Sequence, residues 1–487
     1  MKLSPAVLDR AVGAVLASAT GDALGAPYEF GPPRPGARCA MEGGGGFQWK
    51  PGEWTDDTQL ALAVLTPMSE GHVDAARMGR AMIEWFASSP RDVGVQTGSV
   101  LRRARHGVPL RDAAAGYQAE NPDAAGNGAL MRTATIALGH LGDRPAIAEL
   151  ARQVAALTHP HPDSIEACVL WTLAVDRAIA SASATEAFDW RHAVEEGLEF
   201  VRVDRRDEWR ARIDAAVGRE PSEWYRTNGW VVAAFQAALA AITSTPVPES
   251  ATPCDHLADA LRAVARSGGD TDTVGAIAGG LLGARWGASA IPLAWRRVLH
   301  GRRSYAEPPL SSARLDAMAR LAVRGGNTDS IGWPGEEHLV ARYIEDWGAQ
   351  PHRVELDGTW FGTVADVGGA VADGASVVIS LCRMGTDDVP APASQLTVSL
   401  IDSNPADNPN LVHVLQDTAR TVADLVDSGE RVLVHCVAGE NRSSALAAAY
   451  LRTRGASARE ALDRVADVLG DRPKAFLADA VASVQPR

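Results

Sequence analysis

The residue texture of this chain changes once, near Trp347, and that change limits the fold more than any single motif. Up to about residue 335 the chain is Ala-rich and helical in period. Residues 6–19, 60–68, 75–87, 164–180 and 230–242 place Ala and Leu three and four apart, and few segments alternate with period two. Glycine and proline clusters at 31–36 and 43–46 punctuate them. The stretch GAQPHR (348–353) reads as a linker. After it come β-type runs, ASVVISL (375–381), LTVSLI (396–401) and RVLVHC (431–436), alternating with helical stretches at 411–426, 443–452 and 458–468. Strands that alternate with helices predict a parallel sheet. The chain is therefore expected to be multidomain: an all-α helical bundle at 1–340, a linker at 341–353, and an α/β domain with a mainly parallel central sheet at 354–487.

Composition narrows the function. A length of 487 residues allows two to four domains at roughly 100–200 residues each. Apolar residues make up 46% and charged residues 22%, which excludes wholesale disorder. The 47 basic residues face 60 acidic ones, a net charge of -13, and residues 353–487 alone hold 12 basic against 18 acidic. Neither half is a basic arm, so bulk binding to nucleic acid or to an anionic membrane is not expected. Five scattered cysteines without C-x-x-C spacing argue against a disulfide framework and fit a reducing, cytoplasmic setting. Asp9 and Arg10 interrupt the N-terminus before an apolar run develops, and no run of about 18 apolar residues exists. Neither a signal peptide nor a membrane span is expected.

Two hydroxyl–carboxylate clusters stand far apart in the helical part. WTDDT (54–58) precedes the apolar QLALAVL, and GGDTDTVG (268–275) precedes AIAGGLLG. Each sits at an expected helix N-terminus, where Asp and Thr serve as caps. One cap needs one such residue, however, and bringing Asp56, Asp57, Asp270 and Asp272 together would be repulsive without a cation. Hard oxygen donors suit Mg²⁺ or Mn²⁺ rather than zinc. Caps and metal ligands both remain open on spacing alone. The echo of SGGDTDTVG (267–275) in RGGNTDSIG (324–332) is too short to mark a structural repeat.

These pieces occur in a familiar order: GDALGAPYE (21–29), WTDDTQ (54–59), DVGVQT (92–97), GNGALMR (126–132), ALTH (156–159) and GGDTDTVGAI (268–277). Together they resemble the ADP-ribosylglycohydrolase family, of the dinitrogenase-reductase-activating type. The resemblance implies a helical bundle holding two Mg²⁺ (or Mn²⁺), with Thr55, Asp56, Asp57, Asp270, Asp272 and Thr273 as ligands. It implies a catalytic acid/base role for Glu29 and substrate contact for Asp92. It also implies a backbone cradle for ADP-ribose at Gly126, Asn127 and Gly128. His159 matches a ribose- or phosphate-contacting histidine, with a structural histidine as the alternative. The implied reaction is hydrolysis of the bond between C1 of the distal ribose and a protein or small-molecule acceptor.

RVLVHCVAGENRSSALAAAYL (431–451) is the sharpest signal. A β-run ends at Cys436, and Arg442 follows at the start of an Ala-rich helix. That placement aims backbone N–H groups and a helix dipole at one point, which binds a phosphate dianion and favours a thiolate nucleophile. Arg442 can grip two phosphate oxygens at once. The H-C-x5-R-S pattern, with the context from Val354, is similar to the dual-specificity branch of the protein tyrosine phosphatases. By that resemblance Cys436 attacks phosphorus, Arg442 stabilises the transition state, Ser443 helps the thiolate leave, and His435 supports the loop. Val437, Ala438, Gly439, Glu440 and Asn441 would form the phosphate-binding loop, with no cofactor. Asp402 is the expected general acid, with Asp407 as the fallback. Glu440 and Asn441 depart from the usual small or apolar residues. An inward Glu440 would oppose phosphate, and an outward one would alter which substrates approach.

The leading expectation is a bifunctional hydrolase acting on ADP-ribosylated and on phosphorylated proteins or small molecules. One alternative makes one domain, the phosphatase first, a non-catalytic binding module. Another has the phosphatase act on a phosphorylated nucleotide or ADP-ribose product.

Overall fold

Two helices that are buried along nearly their whole length pack backbone against backbone and set the frame of the first domain. In the computed structural model, which describes residues 3–181, 187–470 and 472–487, the helix Pro5–Gly25 starts behind Ser4. The Ser4 hydroxyl accepts the Val7 N–H at 3.3 Å, and Pro5 fills the first turn. The helix Thr271–Trp286 is buried at every position. Gly13, Gly21 and Gly25 on the first helix and Gly275, Gly279 and Gly283 on the second repeat at multiples of four, so each set lies on one face. A Cβ on Gly21 would come 2.0 Å from the Gly275 carbonyl oxygen, and one on Gly283 would come 2.0 Å from that of Gly13. The Thr271 hydroxyl donates to the Gly25 carbonyl at 2.9 Å. The close crossing thus brings Asp22 and the Asp270–Asp272 turn to the same end of the bundle.

A single methyl group cannot enter this crossing without moving backbone. Gly21→Ala is expected to destabilise the protein by about 3 kcal/mol or more, read from urea unfolding. Gly46→Ala, with open space around its Cβ position, is expected to leave the midpoint unchanged. Equal behaviour of the two variants would remove the glycine crossing as the organising contact.

The helices Asp56–Ser69, Pro162–Ile179, Val231–Ser244, His256–Ser267 and Ser312–Val323 complete one apolar core around this pair. The first domain is helical apart from a two-residue antiparallel pair, His300–Gly301 with Leu310–Ser311, and isolated bridges.

The second domain is a five-stranded sheet in the order Val354–Leu356, Thr359–Thr363, Val432–Cys436, Val377–Ser380, Ser394–Thr397. The first pair is antiparallel and all others are parallel. Period-two alternation divides its two faces. Val432, Val434, Val377 and Ile379 pack under the helices Leu411–Asp427 and Arg442–Thr453, whereas Leu433 and Val378 face a second cluster. Register places Thr363 beside Cys436 and Ser380 beside His435.

Residues 341–353, expected as a linker, are corrected by the packing. The helix Val340–Trp347 occupies most of that stretch. Leu339, Tyr343 and Ala349 join Val364, Val367 and Val437 in the cluster on the second face of the sheet. The segment covers apolar sheet surface instead of spanning solvent. The antiparallel strand at Val354–Leu356 was likewise not foreseen. The domains touch through side-chain-to-backbone hydrogen bonds. Asn410 Nδ2 donates to the Trp286 carbonyl at 2.5 Å, and Asp417 accepts the Leu293 N–H at 2.7 Å. Among the described residues no helix is long and apolar enough to cross a membrane.

Candidate active sites

At the glycine-paired end of the bundle, carboxylates from four separated segments converge. Asp22, Asp57 and Asp272 place one oxygen each within 4.8 Å of the others, and so do Glu29, Asp270 and Asp272. Asp272 belongs to both groups. Thr55 caps the helix Asp56–Ser69 and donates its hydroxyl to Asp57 Oδ2 at 2.9 Å. Asp57 Oδ1 is buried with no hydrogen-bond partner. An orphaned carboxylate oxygen inside a ring of carboxylates is the feature of a cation site, and the donors are oxygens only, which fits Mg²⁺ or Mn²⁺. Asp56 and Thr273 lie buried beside this cluster but in neither group. Thr273 directs its hydroxyl toward Met131 Sδ, at 4.0 Å.

Asp22 is the member that sequence reading missed. Its two oxygens accept the Thr55 N–H at 3.0 and 3.1 Å, the Thr58 N–H at 3.0 Å and the Thr58 hydroxyl at 2.5 Å. It ties the helix Pro5–Gly25 to the start of the helix Asp56–Ser69, the turn that carries Asp57. Asn228 was also missed. Its Oδ1 accepts the Asp270 N–H at 3.0 Å, while Asn127 Nδ2 donates to Asp270 Oδ2 at 2.7 Å. A cleft of about 360 Å³ opens beside Asp270, lined by Phe30, Tyr225, Asn228 and Gly229 among others.

In the glycine loop the Gly126 N–H donates to Gln96 Oε1 at 3.3 Å and the Asn127 N–H to the Gly229 carbonyl at 3.2 Å. Glycine is needed there for packing: a Cβ on Gly128 would lie 3.1 Å from His159 Cε1. His159 is 1% exposed behind the loop, and its Nδ1 lies 2.7 Å from the Thr158 hydroxyl. Burial and then Arg132 push its pKa down to about 3, so the ring is neutral. The structural alternative for His159 is the one this packing supports.

Burial, and after it crowding, raises several of the acids here. Burial, followed by the charges of Asp270 and Asp92, pushes Glu29 up to about 9. Burial takes Asp22 and Asp92 each to about 6, and burial plus neighbouring carboxylates raises Asp56, Asp57 and Asp272 well above their ordinary range. Acids with raised folded-state pKa values hold protons that the unfolded chain has released, so their contribution is complete at low pH and is lost as pH rises through the folded values. The cation-free protein is therefore expected to lose Tm between the ordinary carboxylate range and about pH 9, the value for Glu29. The loss should be roughly 5 °C or more in chelator, with Mg²⁺ restoring most at the alkaline end. A Tm in chelator that is flat across this window would contradict it.

In the second domain the strand Val432–Cys436 delivers the thiol to a loop that the helix Arg442–Thr453 closes. The loop turns back through Gly439, at φ +81°, a conformation that suits glycine. Its N–H points at Cys436 Sγ from 3.2 Å. The Ser444 hydroxyl donates to the Gly439 carbonyl at 3.2 Å and fixes the turn. His435 is fully buried, with Nε2 2.8 Å from the Ser380 hydroxyl, and burial pushes its pKa down to about 4. The Ser443 hydroxyl donates to the Gly362 carbonyl at 3.1 Å, which ties the loop to the neighbouring strand.

Arg442 donates through Nη1 to the Leu381 carbonyl at 2.7 Å, and its Nε lies 3.4 Å from Asp402 Oδ2. Asp402 is thus brought to the guanidinium. Asp407 instead accepts the Ser403 hydroxyl at 3.0 Å. Glu440 is exposed and Val437 buried, so the departing carboxylate lies on the outer side of the loop. Lys474, unremarked in the sequence, donates Nζ to the Asp402 carbonyl at 2.6 Å and its N–H to Asn441 Oδ1 at 3.1 Å. It clasps the loop to the Asp402 segment.

Comparison with known proteins follows the same division. Residues 3–332 match the ADP-ribosylglycohydrolase family, and residues 386–475 match the dual specificity phosphatase catalytic domain. The chain is similar to the ADP-ribosyl-[dinitrogen reductase] glycohydrolase of Rhodospirillum rubrum, 32% identical over 298 residues that cover 60% of this chain and 90% of that one. It is also similar to the ADP-ribosylarginine hydrolase Tri1 of Pseudomonas putida (strain GB-1), 30% identical over 292 residues, 59% of this chain and 73% of that one. Among solved structures, an ADP-ribosylglycohydrolase-related protein complex aligns with a TM-score of 0.52 at 28% identity, covering 66% of this chain and 99% of that one.

Proposed function

Because the chain belongs to the ADP-ribosylglycohydrolase family and carries a dual-specificity phosphatase catalytic domain, we propose that it is a bifunctional hydrolase. One site cleaves the glycosidic bond linking ADP-ribose to a protein or small acceptor, dependent on a divalent cation. The other hydrolyses phosphomonoesters through Cys436. The observation that carries the first activity is the pair of carboxylate groups that share Asp272, one of which includes Asp57 with its unpartnered buried Oδ1.

Thr55, Asp56, Asp57, Asp270, Asp272 and Thr273 would hold two Mg²⁺ or Mn²⁺, which would supply orientation of ribose hydroxyls and activation of water. Asp22 positions the Thr55–Asp57 turn from behind. Glu29, grouped with Asp270 and Asp272, gives its proton to the departing acceptor atom as the bond to ribose C1 breaks. A water oxygen bonds to C1, and the water proton returns to the Glu29 carboxylate. Names of similar proteins point to ADP-ribosylarginine and an ADP-ribosylated protein as the substrates to test first.

In the second site Cys436 attacks phosphorus, with the Gly439 N–H and Arg442 placed to hold charge. The ester oxygen leaves with a proton from Asp402, and water then hydrolyses the cysteinyl-phosphate. The full chain, assayed on ADP-ribosyl-arginine and on a small phosphomonoester with and without EDTA, tests both halves. ADP-ribose release should need added Mg²⁺ or Mn²⁺, while phosphatase turnover persists in chelator. Full ADP-ribose release in excess EDTA would refute the ligand assignment. Preference for phosphorylated nucleosides over phosphopeptides would move the second activity to a nucleotide product.

A further inference from the structure

Cys254, Asp255 and His413 play no part in either site, yet they meet at the boundary between the domains. Cys254 and Asp255 sit on the short 3-10 turn Pro253–Asp255 of the first domain, and His413 is in the first turn of the helix Leu411–Asp427 of the second. One ligand atom from each lies within 4.8 Å of the other two. Cys254 is 0% exposed. His413 Nδ1 is 2.8 Å from Asp255 Oδ1. The His413 side chain is only 8% exposed and that of Asp255 is 42% exposed, and His413 Nε2 is buried with no hydrogen-bond partner. A buried imidazole nitrogen left without a partner next to a buried thiol is unusual unless something else binds there.

We propose that Cys254, Asp255 and His413 form a Zn²⁺ site that clips the two domains together. A thiolate, an imidazole and a carboxylate are the donor types that zinc takes, and three protein ligands leave one position for solvent. The exposed side of Asp255 provides access for the ion. The contacts around the site already hold the same two surfaces, since Asn410 donates to the Trp286 carbonyl and to the Ser289 hydroxyl, and Asp417 accepts from Leu293. Zinc takes the thiolate and the neutral imidazole, so any proton these ligands carry passes to solvent on binding, and no oxidant or reductant is involved.

The test uses the full chain with excess Mg²⁺ to saturate the carboxylate cluster, and Co²⁺ as the probe. Wild type should show one equivalent of cobalt and a thiolate-to-cobalt charge-transfer band, displaced by Zn²⁺. Cys254→Ala and His413→Ala should lose the band, Asp255→Asn should bind about 10–100-fold more weakly, and Cys436→Ser and Asp57→Ala should keep it. A wild type without the band, or a band that survives in Cys254→Ala, overturns the proposal. If Cys254→Ala does not fold, the wild-type band and its weakening in Asp255→Asn decide, and unchanged affinity in Asp255→Asn counts against the site.

Discussion

Cys436→Ser is expected to lower phosphomonoester hydrolysis by roughly 10⁴-fold or more while leaving ADP-ribose release at the wild-type rate. The thiol sits 3.2 Å from the Gly439 N–H, in the loop that leads into the helix Arg442–Thr453. Sulfur is the stronger nucleophile, and a serine hydroxyl there lacks a base beside it: His435 is buried behind the loop, and its Nε2 lies by Ser380. The variant should still bind phosphate analogues, because the loop amides and Arg442 are untouched. Asp402→Asn should cost about 10²–10⁴-fold in turnover, while Asp407→Asn stays near wild type. Wild-type protein that binds phosphomonoesters without turnover would make this domain a recruiting module, and the Asp402 prediction would fall with it.

The parts of this protein that were legible in the sequence are those built from local pattern. The alternation of Val432, Leu433 and Val434 splits between the two faces of the sheet, as period two requires. Cys436 and Arg442 frame a strand–loop–helix turn that is contiguous in the chain. The missed elements depend on distance. Asp22 reads as one polar residue inside a helix, and its meaning comes only from amides 33 and 36 positions away. Asn228 is separated by 42 positions from the Asp270 N–H it accepts. The helix Val340–Trp347 was passed over because about two turns of amphipathic pattern, followed by Gly and Pro, look like a tether. Only the apolar cluster around Val364 and Val437 shows what it covers. The hairpin at Asp357 and Gly358, with φ of +45° and +82°, did carry a readable Asp-Gly turn signal. The packing of His159 against Gly126 and Gly128 is a long-range contact of the same kind.

Asp272→Asn is expected to reduce ADP-ribose release on the order of 10³-fold, the equivalent of several kcal/mol of metal-assisted stabilisation, with phosphatase turnover unchanged. Asp272 is shared by both carboxylate groups, so neutralising it weakens two ligand sets at once. Asp22→Asn should cost less, about 10–100-fold, because its oxygens already bind the Thr55 and Thr58 amides and it acts by positioning Asp57. The same substitutions should move stability the other way. In chelator burial, and then the charges of neighbouring carboxylates, opposes ionisation of Asp57 and Asp272 and raises them well above the carboxylate range. Removing one charge should therefore raise the Tm of cation-free Asp272→Asn above that of cation-free wild type and shrink the Tm gain on adding Mg²⁺. A surface or merely capping aspartate would do neither. A variant that kept full activity, or lost activity with no change in its Mg²⁺-dependent Tm, would detach Asp272 from cation binding. The glycine crossing holds the Asp22 and Asp272 backbones side by side, so this repulsion is built in by the packing of the two helices.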